Sequence, residues 1–259
     1  MITVKEIDKA LSQAAPRTLS EEWDNDGVML CENPNKPVKK ALVMLEVTPD
    51  GITAAEKGGY DLIVTHHPFV FRPFKRLTGS DYTNFSRLMQ KNIAVLSYHT
   101  RLDSALGGVN DTAAELLGLS EVTPFGGENG QCGRIGSLPE PLTPEAFAAV
   151  LKETFGSTSV RASFFKTPDK KIRRVAFVGG AGKSFFYDAY AAGADAFVTG
   201  EAAHNTFLDC KELDMCLFDL GHYFTENPVC GRFKNLLADA FGSELTVGIF
   251  DVQSPYISL

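Results

Sequence analysis

DLIVTHHP, residues 61–68, joins a short apolar run to two adjacent histidines and a proline, and the rest of the chain is organised around it. Four apolar or β-branched residues followed by a proline predict a short buried strand that ends at His66 and His67. Successive side chains of a strand point to opposite faces, so two neighbouring histidines can face one site only where the strand has ended. Open α/β sheets bind their ligands at that place, the carboxyl end of a strand. The stretch therefore predicts a metal site at the end of a core strand.

The composition excludes several classes of protein. The chain has 259 residues, of which 44% are hydrophobic and 22% charged, enough for one large or two ordinary α/β domains. Its net charge of −7 argues against a general nucleic-acid or anionic-membrane binder, because both need a basic face. The five cysteines form no C-x-x-C pair, which favours reduced thiols, and no apolar run is long enough to span a membrane. We expect a soluble, cytoplasmic protein.

An internal repeat is the second organising feature. Two predicted βαβ units, over residues 39–65 and 173–199, match without a gap at an offset of 134, which places Asp61 on Asp195. The next two strand ends match at an offset of 123, where His99 falls on His222 and Asp103 on Glu226. The sequence therefore predicts two similar α/β domains related by a pseudo-repeat.

Glycine-rich residues 125–139 mark the expected boundary between these domains. The first domain is predicted over residues 1–124 and carries His66, His67 and Asp103. The second is predicted over residues 125–259 and carries His222 and Glu226. The C-terminal segment is predicted to be a strand and a short coil that can pack back on the first domain.

Local signals predict several helix starts and leave one loop with two interpretations. Asn110 is the expected N-cap of a helix that runs through Leu117, and Asn227 with Pro228 is the expected start of a helix through Phe241.

The only tryptophan, Trp23, lies in an acidic loop. Either it is buried and pins a turn, or it forms part of the rim of the site.

Histidines and carboxylates gather after the predicted strands. All five histidines of the chain follow such strands: His66, His67, His99, His204 and His222. Nitrogen and oxygen ligands without thiolate suit zinc, manganese or iron. Five or six ligands exceed the needs of one tetrahedral zinc, so two metal ions are expected, and a carboxylate such as Glu226 can bridge them. A two-metal centre activates a bridging water and clamps both oxygens of a displacement.

Two other motifs suggest chemistry that we consider less favoured. Gly179-Gly180-Ala181-Gly182-Lys183-Ser184 resembles a phosphate-binding loop, but the glycine that this signature needs five residues before Gly182 is replaced by Phe177. Weak phosphate contact from the glycine turn is the alternative that remains. Cys230 lies near His222 in the chain, yet it falls inside a predicted helix and is expected to pack there.

Several motifs together give a resemblance to a known family: Thr65-His66-His67-Pro68, Asp103 with Gly107-Gly108-Val109-Asn110-Asp111, Thr199-Gly200-Glu201, Gly221-His222-x-x-Thr225-Glu226, and Trp23-Asp24-Asn25 with Gly27. In this order they resemble the signatures of the NIF-three-like family, whose members are also labelled GTP cyclohydrolase I type-two homologues. The resemblance spans residues from about 20 to 235.

The resemblance implies two similar α/β domains with a dinuclear metal centre between them, and a ring-shaped homohexamer. It implies two divalent ions per subunit (zinc, iron or manganese), held by His66, His67, Asp103, His222 and Glu226. His99 then becomes a candidate for proton transfer rather than a ligand. Glu46 and Lys183 depart from the family's usual residues, and we expect neither to touch a ligand.

These observations support a metal-dependent hydrolase that acts on a nucleotide-like or phosphorylated small molecule through a metal-bridging hydroxide. The family's cyclohydrolase label implies opening of a purine ring. A non-catalytic metal-binding, metal-handling or scaffold protein is the alternative. A third interpretation is that the histidines are structural and bind no metal.

Overall fold

The computed structural model of the chain describes residues 1–127 and 131–257. Residues 128–130, inside the predicted boundary segment, and residues 258–259, at the end of the predicted tail, lie outside the described residues. The α-helices of the described chain are α1 (Val4–Ala14), α2 (Pro49–Gly58), α3 (Gly79–Gln90), α4 (Thr100–Ser104), α5 (Val109–Leu116), α6 (Pro144–Phe155), α7 (Phe186–Ala191), α8 (His204–Glu212), α9 (His222–Glu226) and α10 (Val229–Phe241).

The strands alternate with these helices along much of the chain, as in an α/β protein. They are β1 (Gly27–Leu30), β2 (Lys40–Met44), β3 (Leu62–Thr65), β4 (Ala94–Ser97), β5 (Ser120–Phe125), β6 (Gly133–Leu142), β7 (Arg161–Ser163), β8 (Ile172–Val178), β9 (Ala196–Thr199), β10 (Cys216–Asp219) and β11 (Thr246–Ile249). Short 3₁₀ helices are found at Arg17–Leu19, Gly182–Phe185 and Gly242–Glu244.

The chain forms two compact units that each contain one sheet. The first comprises Met1–Leu106 and Val229–Val252, and the second comprises Gly107–Pro228 and Gln253–Leu259. The sequence predicts a boundary near residue 124, but α5 and β5 belong to the second unit because β5 pairs with β6 and α5 contributes to the second core. Residues 133–139 of the glycine-rich segment belong to β6, which begins at Gly133.

The sheet of the first unit has the strand order β1-β4-β3-β2-β11. Strands β4, β3, β2 and β11 are parallel to their neighbours, and β1 is antiparallel to β4 at one edge. Every residue of β3 is buried, as expected for a parallel strand covered on both faces. Ile52 of α2 and Leu88 of α3 pack on this sheet against Ile63. The carboxyl ends of β3 and β4 therefore lie side by side on a rigid core.

The sheet of the second unit has the order β5-β6-β8-β9-β10-β7. Strands β8, β9 and β10 are parallel, and the remaining pairings are antiparallel. Its core contains large aromatic side chains: Phe147 of α6 meets Phe218 edge-on, and Phe155 stacks on Phe177. This unit repeats the three parallel strands of the first, which confirms the predicted pair of similar α/β domains.

Helix boundaries follow ordinary capping chemistry where the cap is local. Thr48 accepts a hydrogen bond from Gly51 N at the start of α2, and Gly59 ends that helix at a φ of 63°. Two predicted caps were wrong. Gly108 takes the N-cap position of α5, so Asn110 lies inside the helix, and Asn227 ends α9 rather than beginning α10. Among the described residues, no helix has the length and apolar character needed to cross a membrane.

Candidate metal site

The first unit gathers three imidazoles at the ends of β3 and β4. The backbone N–H groups of His66 and His67 both donate to Leu45 O, at 3.1 and 2.9 Å, so the chain turns as soon as the strand ends. The turn brings both rings together, with centroids 5.1 Å apart, and His99 from the neighbouring strand end lies 5.3 Å from His66. One nitrogen of each ring lies within 4.8 Å of the others. The arrangement could hold a metal ion.

The second nitrogen of each ring fixes which tautomer is present. His66 Nδ1 lies 3.0 Å from the carbonyl oxygen of Tyr98, which only accepts hydrogen bonds, so Nδ1 carries the proton. His67 Nδ1 lies 2.6 Å from Glu46 Oε2, and His99 Nδ1 lies 2.8 Å from Asp24 Oδ1. In their neutral form His66 and His67 therefore carry their lone pair on Nε2, as a metal ligand requires.

Glu46 contradicts an expectation from the sequence. It follows β2 and was expected to touch no ligand, yet its carboxylate makes the 2.6 Å contact with His67 Nδ1. The adjacent strands β2 and β3 are paired in parallel, with Met44 opposite Thr65, so residues that follow the two strands meet at one edge. A carboxylate in this position orients the ring and raises its basicity as a ligand.

Asp24 has the corresponding role for His99. Its Oδ1 contacts the imidazole, and its Oδ2 accepts hydrogen bonds from Thr100 N at 3.0 Å and Thr100 Oγ1 at 2.6 Å. Burial of the carboxyl would raise its pKa, but the hydrogen bond and charge of His99 together with the Thr100 bonds outweigh burial and lower the pKa to about 2. Asp24 is therefore ionised near neutral pH.

Asp103 brings the first oxygen to this set. It lies on α4, one turn after His99, and its Oδ1 is 3.5 Å from His66 Nε2. The carboxylate thus faces the nitrogen that carries the lone pair of His66. The first unit contains four of the seven strand-end side chains that the sequence singled out: His66, His67, His99 and Asp103.

The second unit contains a smaller set on α9. His222 Nε2 lies 2.8 Å from Glu226 Oε2, one helical turn away, and Glu226 is nearly buried. His222 Nδ1 lies 2.7 Å from Glu201 Oε1, so a carboxylate again orients the imidazole. The pattern of a ligand-type nitrogen with an outer carboxylate is the same as that of His67 and Glu46.

The glycine turn after β8 supports this second set by leaving room for it. Gly180 has a φ of 58°, and a Cβ there would overlap Glu226 Oε1 and lie 3.0 Å from His222 Nε2. A Cβ at Gly200 would lie 2.8 Å from His222 Cα and 2.6 Å from Thr225 Oγ1. Gly180 and Gly200 therefore leave the space that the side chains and backbone of α9 occupy.

The same turn is not built to bind phosphate. Gly180 N donates to Thr225 Oγ1 at 3.0 Å, and Gly179 N donates to Asn110 Oδ1 at 2.9 Å. These backbone donors are therefore used inside the protein, and the turn leads into the 3₁₀ helix Gly182–Phe185 rather than directly into an α-helix. The interpretation of this motif as a weak phosphate site is wrong for these two amides.

Two other predictions concern residues outside the sets. His204 is exposed at the start of α8 and is in none of the metal-binding groups found among the described residues. Cys230 is buried in α10, and burial raises the pKa of its thiol to about 12, so the group stays protonated. Cys230 packs as expected, and it is not an activated nucleophile.

Sequence reasoning found the ligand-type residues but missed the carboxylates that orient them. In the sequence Asp24 appears only as part of a motif, and Glu46 and Glu201 have no assigned role. One signal points to Glu46: it follows β2 just as His67 follows β3, and strands of a parallel pair end at the same edge.

The fold and these donor sets define a class: a mixed α/β protein of two similar units that carry histidine–carboxylate groups able to bind metal. A family model described as Duf34/NIF3 (NGG1p interacting factor 3) matches residues 2–255. The chain belongs to this family.

Known relatives agree with that assignment. A protein of Clostridium perfringens named GTP cyclohydrolase 1 type 2 homolog is 30% identical over 249 residues, which cover 93% of this chain and 94% of the relative. The solved structure of reduced HcgD from Methanocaldococcus jannaschii has a TM-score of 0.83 at 30% identity and covers 96% of this chain and 97% of its own. The Staphylococcus aureus protein SA1388, at 22% identity, shares the fold with a TM-score of 0.91 over 100% of this chain and 99% of its own.

Proposed function

We propose that this chain is a dinuclear metal-dependent hydrolase that acts on a nucleotide-like or phosphorylated small molecule. The observation that carries the proposal is the cluster of His66, His67 and His99, in which one ring nitrogen of each lies within 4.8 Å of the others. Nδ1 of His66 and Nδ1 of His67 are each held by another group of the protein, which leaves their Nε2 atoms for a metal. Histidines that merely fill a core have no need for this arrangement. The proposed ligands are His66, His67, Asp103, His222 and Glu226.

The donor chemistry fits two divalent ions. Imidazole nitrogen and carboxylate oxygen, without thiolate, suit zinc, iron or manganese. In this proposal the five residues would hold two ions, with Glu226 as a shared ligand. When bound, the ions would supply an activated water at neutral pH and stabilise the charge that develops on the oxygens of the reacting group.

The chain's own residues account for orientation and proton movement. Glu46 and Glu201 hold His67 and His222 in the tautomer that ligates. His99, with Nδ1 held by ionised Asp24, is assigned the transfer of a proton at Nε2 to the leaving group. A carboxylate behind an imidazole stabilises the imidazolium that forms during such a transfer.

The names of the relatives favour one reaction class within this proposal. Several bacterial relatives carry the name GTP cyclohydrolase 1 type 2 homolog, which points to hydrolysis of a purine nucleotide ring. The resemblance noted in the sequence adds a ring-shaped homohexamer. Sedimentation of the purified protein tests this part independently, because a monomer or dimer would contradict it.

The substitution Glu226→Gln tests the proposed function. It keeps the shape of the side chain but weakens a bridging ligand, so we expect turnover to fall by at least 100-fold in a screen of nucleotides and phosphoesters with the metal-loaded protein. Exposed Glu153 on α6 provides a matched control, Glu153→Gln, which should leave both turnover and metal content unchanged.

Metal content measured by elemental analysis separates the alternatives. Protein purified without chelator or tag-derived metal should contain close to two divalent ions per chain. A protein that binds metal but hydrolyses nothing in the screen would favour the metal-handling or scaffold function. Protein without metal, even after reconstitution, would contradict both.

A further inference from the structure

Two large aromatic side chains are exposed beside the histidines of the first unit. Trp23 is 62% exposed and Phe71 is 47% exposed, although burial of either ring would be favourable in water. The sequence left open whether Trp23 is buried or forms a rim, and the buried interpretation is wrong. Exposed apolar rings grouped at a site are a feature of ligand-binding surfaces.

The two rings form a continuous aromatic wall with His99. Trp23 and Phe71 meet edge-on with centroids 6.0 Å apart, and each lies 6.1 Å from the His99 ring, also edge-on. His99 in turn lies 5.3 and 5.8 Å from the rings of His66 and His67. A planar molecule that lies on this wall would therefore extend toward the metal-binding nitrogens.

The backbone around both aromatic residues is held in place. The loop of Trp23 is anchored by Glu21 N, which donates to Thr100 Oγ1 at 3.0 Å, and by the Asp24 carboxylate on Thr100. The segment of Phe71 is joined to the same loop, because Asn25 Nδ2 donates to Val70 O. A preformed wall loses little conformational entropy when a ligand binds.

Positive charge follows the aromatic wall directly in the chain. Residues 69–80 contain Arg72, Lys75 and Arg76 and no acidic residue, in a chain whose net charge is −7. All three cationic side chains are exposed. The segment therefore combines aromatic and cationic side chains in a protein that otherwise repels anions, which fits a ligand that is flat at one end and anionic at the other.

We propose that Trp23 and Phe71 stack the base of a nucleotide, and that the cationic segment 72–76 binds its phosphate. The inference rests on the proposed function, since it names the substrate class of the same site. It adds specificity-determining residues: Trp23 and Phe71 for the base, and Arg72, Lys75 and Arg76 for the phosphate. A sugar phosphate without a base would contact the cationic segment and leave the two aromatic side chains uncovered.

The only tryptophan of the chain gives a direct signal for the test. Stacking of a base on Trp23 should quench the intrinsic fluorescence of the purified full-length protein. We expect saturable quenching by GMP, quenching by guanosine only at about tenfold or higher concentration because it lacks the charge-assisted phosphate contacts, and none by ribose 5-phosphate. Isothermal calorimetry provides the affinities of variants that lack the tryptophan.

Matched substitutions assign the two halves of the surface. Trp23→Ala or Phe71→Ala should weaken GMP binding between about 5-fold and 150-fold, the range for loss of one base–aromatic stack, and Trp23→Phe should restore most of it. Tyr187→Ala, at an equally exposed aromatic position of the second unit, should change nothing. Arg72→Ala with Arg76→Ala should weaken GMP but not guanosine, whereas Lys5→Ala with Lys152→Ala should affect neither.

Several outcomes would overturn the inference while leaving the proposed function intact. One is metal content and turnover as proposed, with GMP affinity unchanged in Trp23→Ala and Phe71→Ala. Another is a change of oligomeric state in Trp23→Ala with unchanged GMP affinity, which would show that a second copy of the chain covers the wall. Conversely, GMP binding that depends on Trp23 in a protein without metal or turnover would support this surface and contradict the hydrolase.

Discussion

In both units an aspartate precedes the middle parallel strand and bonds the amino end of the neighbouring strand. Asp61 Oδ2 accepts hydrogen bonds from the N–H groups of Lys39 and Lys40, at 2.8 and 3.1 Å. Asp195 Oδ2 accepts the same pair of bonds from Arg173 and Arg174, both at 2.9 Å. The predicted repeat thus extends from sequence to individual hydrogen bonds at an offset of 134.

Strand pairing and the contacts of one lysine also repeat between the two units. Ala41 pairs with Leu62 in the first sheet, and Val175 pairs with Ala196 at the same offset in the second. The Lys36 ammonium donates to the carbonyl oxygens of residues 61 and 92, and its counterpart Lys170 donates to the carbonyl oxygen of residue 214. The backbone plan is therefore shared, and the functional differences between the units lie in side chains.

Two pairs of equivalent positions show what differs. Glu46 corresponds to Gly180: the first orients His67, whereas the second leaves space for Glu226. His67 corresponds to Glu201, which exchanges a ligand-type imidazole for the carboxylate that orients His222. One backbone plan therefore presents nitrogen-rich donors in the first unit and a histidine–carboxylate pair in the second, because the residues at the strand ends differ.

The largest expected effect comes from filling the space at Gly180. In Gly180→Ala the new methyl group overlaps Glu226 and the backbone keeps a positive φ, so we expect a loss of roughly 2–5 kcal/mol in the free energy of unfolding. Metal binding by the second-unit set should be lost with it. Urea unfolding and metal titration measure the two effects.

Gly59→Ala is the matched control for this prediction. Gly59 also has a positive φ, of 63°, but nothing lies within 4 Å of a Cβ built there. Only the cost of a positive φ for alanine remains, so the free energy of unfolding should fall by about 1 kcal/mol and metal binding should be normal. Equal losses in the two variants would show that the space around Glu226 is not what Gly180 provides.

A smaller effect is expected from removing the carboxylates that orient the histidines. Glu46→Gln and Glu201→Gln should each weaken metal affinity, within the 10–100-fold range typical of such partners. The Glu46 and His67 side chains are 36% and 22% exposed, whereas Glu201 and His222 are 54% and 31% exposed. Solvent screens the second pair more, so Glu46→Gln should have the larger effect. Competition titration with a chromophoric chelator gives both affinities, and the reverse order would contradict the comparison.

The sequence predicted the parallel cores of both units well because their signals are local. The predicted βαβ units over residues 39–65 and 173–199 correspond to β2-α2-β3 and β8-α7-β9. Helix Pro49–Gly58 shows how local the signals are, since a threonine precedes the proline at its start and a glycine follows its last turn.

The predictions that were wrong concern residues whose contacts are distant in the chain. Asn110 has the residue type of an N-cap, but its side chain is buried and bonds Gly179 N and Cys132 O.

The predicted offset of 123 between the last strand ends was also wrong by one residue. Strand register and helix starts both give 122, from Ser97 to Asp219 and from Thr100 to His222. His99 is thus equivalent to Gly221, since each occupies the N-cap position of a five-residue helix.

A still smaller effect is expected at a turn that lies outside both donor sets and is shared by the two units. Asn92 and Asp214 are equivalent residues at the starts of β4 and β10, with positive φ values of 49° and 53°. Asp214 additionally accepts hydrogen bonds from Thr167 N at 2.9 Å and Lys166 N at 2.7 Å. The Thr167 backbone bond, with further bonds from Thr167, Lys170 and Lys166, lowers the pKa of Asp214 from 3.8 to about 2.

This depressed pKa makes the contribution of Asp214 depend on pH in one direction. The ionised carboxylate stabilises the folded chain at pH values above 3.8, and that stability is lost as the pH falls toward 2, because the unfolded chain binds the proton first. Asp214→Asn keeps a residue that tolerates positive φ, so it should lose less than about 1 kcal/mol at neutral pH, given the solvent around the group. Urea unfolding should show the difference from wild type shrinking between about pH 4 and pH 2. Asn92→Ala, which removes no carboxylate, should show a difference that is constant over this range. A difference for Asp214→Asn that does not change with pH would contradict a contribution from the ionised carboxylate.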